Sequence, residues 1–239
     1  MNMFTENVKR RTRGRPPGQS PQGAAARDRL YETAIRMISE RGYEATTLRE
    51  IAKDAHVSVG LLYRYFPSKQ AVIIALYDEL SADYSRQAEA MPSGRWRERF
   101  LFALNTSIHV LEPHRLVLHA LIPVLVGDPN DGVFAESTSF SRARVQGAFE
   151  NAVNGASDAP KAPLAAALGR LLYLVHLAVL LWWLLDKSAK QRATRGLVTL
   201  TDQILPSAAL TLRLPPIRRF VQTIDQLIAD ALIGKPVAG

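Results

Sequence analysis

No cysteine occurs in the 239 residues, so disulfides, thiolate metal ligands and cysteine nucleophiles are excluded together. Acidic excess is missing too: 30 Lys and Arg stand against 22 Asp and Glu, a formal charge of +8. No run of alternating apolar and polar residues suggests a strand. The local signatures of catalysis are equally absent, since there is no Gly-rich phosphate loop, nucleophile elbow or pair of carboxylates. His109, His114 and His119 lie five apart, which spreads them around a helix instead of stacking them as i, i+4 ligands, and no carboxylate joins them. The expectation is a protein that is not an enzyme and carries no metal and no cofactor.

Even the most apolar stretch, LLYLVHLAVLLWWLLD at 171–186, is short for a bilayer. Arg170 and Asp186 bracket 15 uncharged residues, against the roughly 17 to 25 that a spanning helix needs. His176 in its middle would be costly in lipid. Residues 1–20 hold Lys9, Arg10, Arg11, Arg13 and Arg15 with no apolar core after them, unlike a signal peptide. A soluble, cytoplasmic chain is expected, membrane association through 163–187 being a rival.

What is present is helical periodicity with Pro and Gly punctuation, an all-α pattern of about ten helices. The spacing predicts helices over 25–41, 47–54, 59–66, 68–90, 95–111, 113–126, 133–155, 163–187, 192–212 and 216–233. The basic excess is N-terminal, with 13 Lys and Arg against 7 Asp and Glu in residues 1–70 and 17 against 15 thereafter. Such asymmetry suits an anion-binding module joined to a nearly neutral body, and nucleic acid is the commonest large polyanion.

The informative window is TTLREIAKDAHVSVGLLYRYFPSK, residues 46–69. Thr47 and Glu50 form a capping-box pattern that starts one short helix. Ser58 is the next good N-cap, with Val57 and Leu62 spaced as a hydrophobic staple. Two short helices therefore meet across a tight turn, the arrangement that places a second helix in a DNA major groove. Tyr63, Arg64, Tyr65 and Lys69 gather hydroxyl and cationic groups suited to phosphates, and Gly60 keeps the first turn narrow. Phe66 reads as a core aromatic.

From Ala24 to Tyr84 the sequence resembles the tetracycline-repressor (TetR) family of bacterial transcription regulators, in the succession Gly-Tyr, Thr-Thr, Ile-Ala, Val-Ser-x-Gly, Leu-Tyr-x-Tyr-Phe and Ser-Lys. The resemblance implies DNA contacts from Thr47, Arg49, Val59, Gly60, Leu61, Tyr63, Tyr65 and Lys69, with Ser58 capping the recognition helix. It divides the chain into a basic flexible arm (1–23), a three-helix DNA-binding domain (24–84, helix-turn-helix motif 47–66) and a larger helical effector-binding and dimerisation domain (85–239). The implied function is a transcriptional regulator, a repressor released from a palindromic operator by a small effector.

Three departures stand out. His56 occupies a turn position where the family usually has Gly, and a left-handed backbone there is harder for His. Val59 and Leu61 are apolar where the family often has Lys and Thr, leaving mainly apolar contact with thymine methyls. Arg13-Gly14-Arg15-Pro16 resembles the core of an AT-hook, so Arg13 and Arg15 are candidates for a narrow minor groove; a solvated tail is the alternative.

One short recognition helix reads few base pairs, so a homodimer is expected, through about 163–187 and 192–212. Helix 163–187 is apolar around nearly its whole circumference, which implies burial on all sides. Tyr173, His176 and Trp183 share one stripe of it. They are either core residues or, with Trp96, Phe100 and His109, the lining of a pocket for a small apolar or amphipathic effector. A body that docks a protein partner instead is the other rival.

Overall fold

The computed structural model describes residues 21–128, 130 and 132–233; Arg13 and Arg15 lie outside them. Among the described residues every regular element is helical. The order is α1 (Pro21–Arg41), α2 (Leu48–Asp54), α3 (Val59–Tyr65), α4 (Lys69–Ala88), α5 (Trp96–Leu111), α6 (Arg115–Ala120), α7 (Ile122–Gly127), α8 (Ser139–Asn154), α9 (Leu164–Leu185), α10 (Arg192–Thr211) and α11 (Pro215–Ile228), followed by a π turn at Ala229–Ile233.

Three apolar clusters stack along α4. The first joins Leu30, Ala34 and Met37 of α1 to Ile51, Ala52, Leu62, Phe66 and Val72. A second gathers Ile38 of α1, Ile73, Leu76 and Leu80 of α4, and residues of α6, α7 and α9 including Val117, Leu118 and Trp183. The third packs Tyr84 and Ala88 with α5, α8, α9 and α10 around Phe100, Phe149 and Leu172. One helix thus contributes to every core. Its own spacing explains this, because apolar residues at 72, 73, 76, 80 and 84 keep one broad stripe buried for more than three turns.

Two sequence-based helices are broken. The expected 113–126 helix becomes a 3-10 turn (Glu112–His114), α6 and α7, with the interruption at Leu121. Pro123 has no N–H to give to the preceding turn and its ring crowds the carbonyl four residues back, so the chain restarts there with proline in the first turn. The expected 133–155 helix starts only at Ser139. Residues 132–135 are held as a loop because Thr138 Oγ1 donates to the Gly132 and Ala135 carbonyls (2.8 and 3.0 Å) and Arg142 to those of Val133 and Ala135 (both 3.1 Å).

Helix α9 is longer than its uncharged run. It extends back through Arg170 to Leu164, and its 22 residues are long and apolar enough to cross a membrane by length and composition. Half of that span is buried within the body. Arg170 is paired with Asp225 of α11 through two hydrogen bonds of 2.7 and 2.6 Å, and His176 meets Ser107 of α5. Leu164, Ala167 and Leu171 pack against Val221 and Ile217 of α11. Further along the same side, Val175, Ala178, Trp182 and Leu185 are exposed. Helix α11 therefore covers only the N-terminal half of this stripe.

Arg115 binds α6 to the end of α9. Its guanidinium donates to the carbonyls of Trp183 (3.0 Å), Leu184 (3.2 Å) and Asp186 (2.9 Å), groups that a helix C-terminus leaves unsatisfied. It also lies 5.6 Å from the Trp183 ring, and a cation there suits the negative end of the helix.

Candidate DNA interface and effector cavity

The α2–α3 unit is built by local polar chemistry. Thr47 Oγ1 accepts the Glu50 amide (3.3 Å) while the Glu50 carboxylate accepts the Thr47 amide (3.0 Å), closing the capping box. The Thr47 hydroxyl also donates to the Glu50 carboxylate at 2.6 Å, and this bond, with that from the Thr47 amide, holds the carboxyl below its ordinary range. Ser58 Oγ accepts the Leu61 amide at 3.2 Å and starts α3. Between them α2 ends in a Schellman arrangement, with His56 N–H donating to Lys53 (3.2 Å) and Val57 N–H to Ala52 (3.0 Å).

That geometry puts His56 at φ 53°, in the left-handed region. Replacing it by Gly removes the Cβ strain at an exposed site, so His56→Gly is expected to stabilise the fold by roughly 0.5–1 kcal/mol, about 1–4 °C in Tm. Thermal melts of the two proteins check this, and a lowered Tm would contradict it.

With Leu62 and Phe66 buried, α3 turns Val59, Gly60, Tyr63 and Arg64 outward; Val59 is 41% and Tyr63 46% exposed. Thr47 and Arg49 are exposed on the neighbouring helix start. Leu61 and Tyr65 are half-buried on the flank, Tyr65 packing against the first core. Lys69 has an internal role: its ammonium donates to the Tyr43 carbonyl at 2.7 Å and sits 4.2 Å from that ring's centre. It fixes the Gly42–Tyr43 corner to the start of α4.

In the body, a cavity of about 460 Å³ opens among α4, α5, α6, α7, α8 and α9. Tyr173, His176 and Trp183 line it, as do Tyr84, Ser107 and Arg142. Three other candidates lie elsewhere. Trp96 and Phe100 are sealed in the third core, on the buried stripe that runs to Ala103 and Leu104. His109 is exposed, two positions past the inward Ser107 and so turned to the opposite side of α5. Sequence reasoning missed Tyr84 and Arg142. The signal for Tyr84 was available, because Tyr77, Leu80, Ser81 and Tyr84 follow i, i+3, i+4, i+7 spacing on α4; nothing local marked Arg142.

The lining is mostly apolar with a few fixed polar groups. Trp183 Nε1 donates to Gln191 (2.8 Å) and Glu112 (3.2 Å). Ser107 Oγ and His176 Nε2 are 2.7 Å apart, while His176 Nδ1 faces the Tyr173 carbonyl without a well-aligned hydrogen bond. Burial, only partly opposed by that carbonyl, pushes the His176 imidazole down to about 3. The unfolded chain therefore takes up this proton first as pH falls from about 6.5. Its contribution to stability is complete above pH ~6.5 and is lost toward pH 3, with a slope of up to about 1.4 kcal/mol per pH unit in that window. His176→Gln is expected to flatten the decline of urea-unfolding stability between pH 7 and pH 4.5; parallel profiles for the two proteins would contradict this.

Residues 30–76 match the family described as "Bacterial regulatory proteins, tetR family". The chain is 40% identical over 47 residues to the HTH-type transcriptional regulator YuxN of Bacillus subtilis, a match covering 20% of this chain and 16% of that protein. It is 25% identical over 177 residues to the HTH-type transcriptional repressor KstR of Mycolicibacterium smegmatis, covering 72% of this chain and 82% of the relative. The fold is shared with the TetR transcriptional regulator of Nitrosomonas europaea at a TM-score of 0.55 and 20% identity, covering 75% of this chain and 97% of that one. A tetR-family regulator of Streptomyces coelicolor aligns at 0.54 and 21% identity, covering 86% and 97%. The capped two-helix reader at one end of α4 thus lies in the region that matches the tetR family, residues 30–76, and the chain as a whole shares the fold of TetR-family transcriptional regulators.

Proposed function

We propose that the protein is a cytoplasmic, homodimeric repressor that leaves its operator when a small molecule fills the body's cavity. The observation that carries the reading is the pairing of an outward α3 face with an apolar cavity whose lining reaches the core shared with α1. Residues 24–84 form the DNA-binding unit and 85–239 the effector and dimerisation unit in this scheme. The relatives named KstR are called repressors, which supports the sign of regulation.

The α9 and α10 faces supply the dimer contact. Val175, Ala178, Trp182 and Leu185 form one exposed apolar stripe on α9, and α10 exposes Leu200 and Ile204 one turn apart. A second copy accounts for both, and two-fold symmetry then sets the recognition helices on successive turns of a palindromic site.

Leu118, Ile122 and Leu125 touch the cavity, and Leu118 shares the second core with Ile38 of α1. An effector that prefers one arrangement of α6 and α7 thus shifts α1 and the recognition helix it carries. The shift is limited by the effector's differential affinity for the two arrangements. Selection of bound fragments from genomic DNA tests the reading: enrichment of a palindromic site is expected, and enrichment of none would overturn it.

A further inference from the structure

The cavity is open on one side, and its rim shows where. Among the described residues that line it, Val126, Ala178 and Leu232 are the exposed ones, contributed by α7, α9 and the π turn that follows α11. Val126 is 69% and Leu232 42% exposed. The remaining lining residues are buried or half-buried. Small-molecule sites bury most of their ligand's surface, yet this apolar space meets solvent through an apolar rim.

A second, independent observation is the direction this rim faces. Successive residues of an α-helix turn by about 100°, so on α9 Leu174, Ala178 and Leu181 lie between the inward Tyr173, His176 and Trp183 and the outward Val175 and Trp182. All three line the cavity, and Ala178 also belongs to the exposed stripe of Val175, Ala178, Trp182 and Leu185. The opening therefore borders the face assigned above to a second protomer. From Leu171 to Leu185 that helix carries no Asp, Glu, Lys or Arg. It suits a partner surface that is itself uncharged and apolar, which another copy of the same stripe supplies across a two-fold axis. Exposed apolar residues grouped this closely mark a contact surface.

We propose that dimerisation completes the ligand site: the partner protomer docks on α9 and closes the cavity at the rim of Val126, Ala178 and Leu232. This rests on the effector and dimer readings and joins them. Closure buries ligand surface that the single chain leaves wet, so the dimer binds an apolar ligand more tightly than the monomer does. The coupling is reciprocal, and the ligand strengthens the dimer by the same factor per site. The liganded protein then leaves its operator as an intact dimer with displaced recognition helices, and the chains do not separate.

The test uses the neutral fluorophore N-phenyl-1-naphthylamine, titrated into the full-length protein and into Ile204→Glu, a position outside the cavity lining. The dimer is expected to take one probe per chain about tenfold more tightly than the monomeric variant, the effect of roughly 50–60 Å² of extra apolar burial. Baring the dimer face adds apolar surface for the probe, so weaker binding by the monomer cannot come from the newly exposed stripe. In sedimentation of the wild-type chain, saturating probe should lower the dimer dissociation constant about tenfold or more. Equal or tighter binding by the monomer, or a dissociation constant that the probe does not move, would overturn the proposal while leaving effector control intact. Ile204→Glu and Trp182→Glu proteins that both stay dimeric would overturn the interface and the proposal with it. Tighter binding by the dimer that never weakens operator binding would instead support the shared site and count against the effector reading.

Discussion

Gly60→Glu is expected to abolish operator binding while leaving the fold at least as stable as before. Position 60 is the second residue of α3, and a Cβ placed there meets nothing within 4 Å. Relief from glycine's entropy in a helix contributes roughly 0.5–1 kcal/mol, and a carboxylate in a first helical turn adds about 0.3–1 kcal/mol. Both terms favour the folded state. At the proposed interface the same carboxylate stands between Val59 and Tyr63, where the phosphate backbone and base edges approach. Repulsion and lost close contact should lower operator affinity about a hundredfold or more at fixed salt. Fluorescence anisotropy with labelled operator and a thermal melt on the same sample decide the matter. Wild-type affinity in a well-folded Gly60→Glu protein would remove α3 from the interface.

The second large effect concerns assembly. Ile204→Glu should convert the proposed dimer to monomers and reduce operator affinity by about 10²- to 10⁴-fold, the gain that linking two weak half-site contacts provides. Ile204 is 53% exposed in the single chain, so its replacement leaves that chain's own packing intact. A dimer interface would instead bury the new charge without a partner. Trp182→Glu, at a residue 50% exposed on α9, tests the other face in the same way. Light scattering reads the mass directly. Dimers that persist in both variants would place the contact elsewhere.

Much of the reader was legible because its determinants are local. Thr47, Glu50 and Ser58 cap helices through bonds to residues three positions away, and His56 declares its left-handed turn by standing between two capped elements. The cavity was legible only along α9. Tyr173, His176 and Trp183 keep one stripe, yet Arg170 on the same spacing swings to Asp225, a partner 55 residues away that no local pattern announces. Trp96 and Phe100 went to the core for a similar reason, since their neighbours Phe149 and Val153 come from a distant helix. The all-round apolarity of α9 was expected to mean burial on every side. Within one chain that holds for the half covered by α11; Val175, Trp182 and Leu185 remain open.

The threading of α4 through all three clusters has a thermodynamic consequence. Cutting the chain after the reader would strip Ile73, Leu76 and Leu80 of their partners Val117, Leu121 and Trp183, so residues 21–84 would keep only the first cluster closed and leave the second half of α4 uncovered. Reader and body should therefore melt in one calorimetric transition rather than two, with calorimetric and van't Hoff enthalpies in agreement per cooperative unit. Amide protons in the middle of α4 should then exchange only through global opening, making that helix the slowest-exchanging segment of the protein.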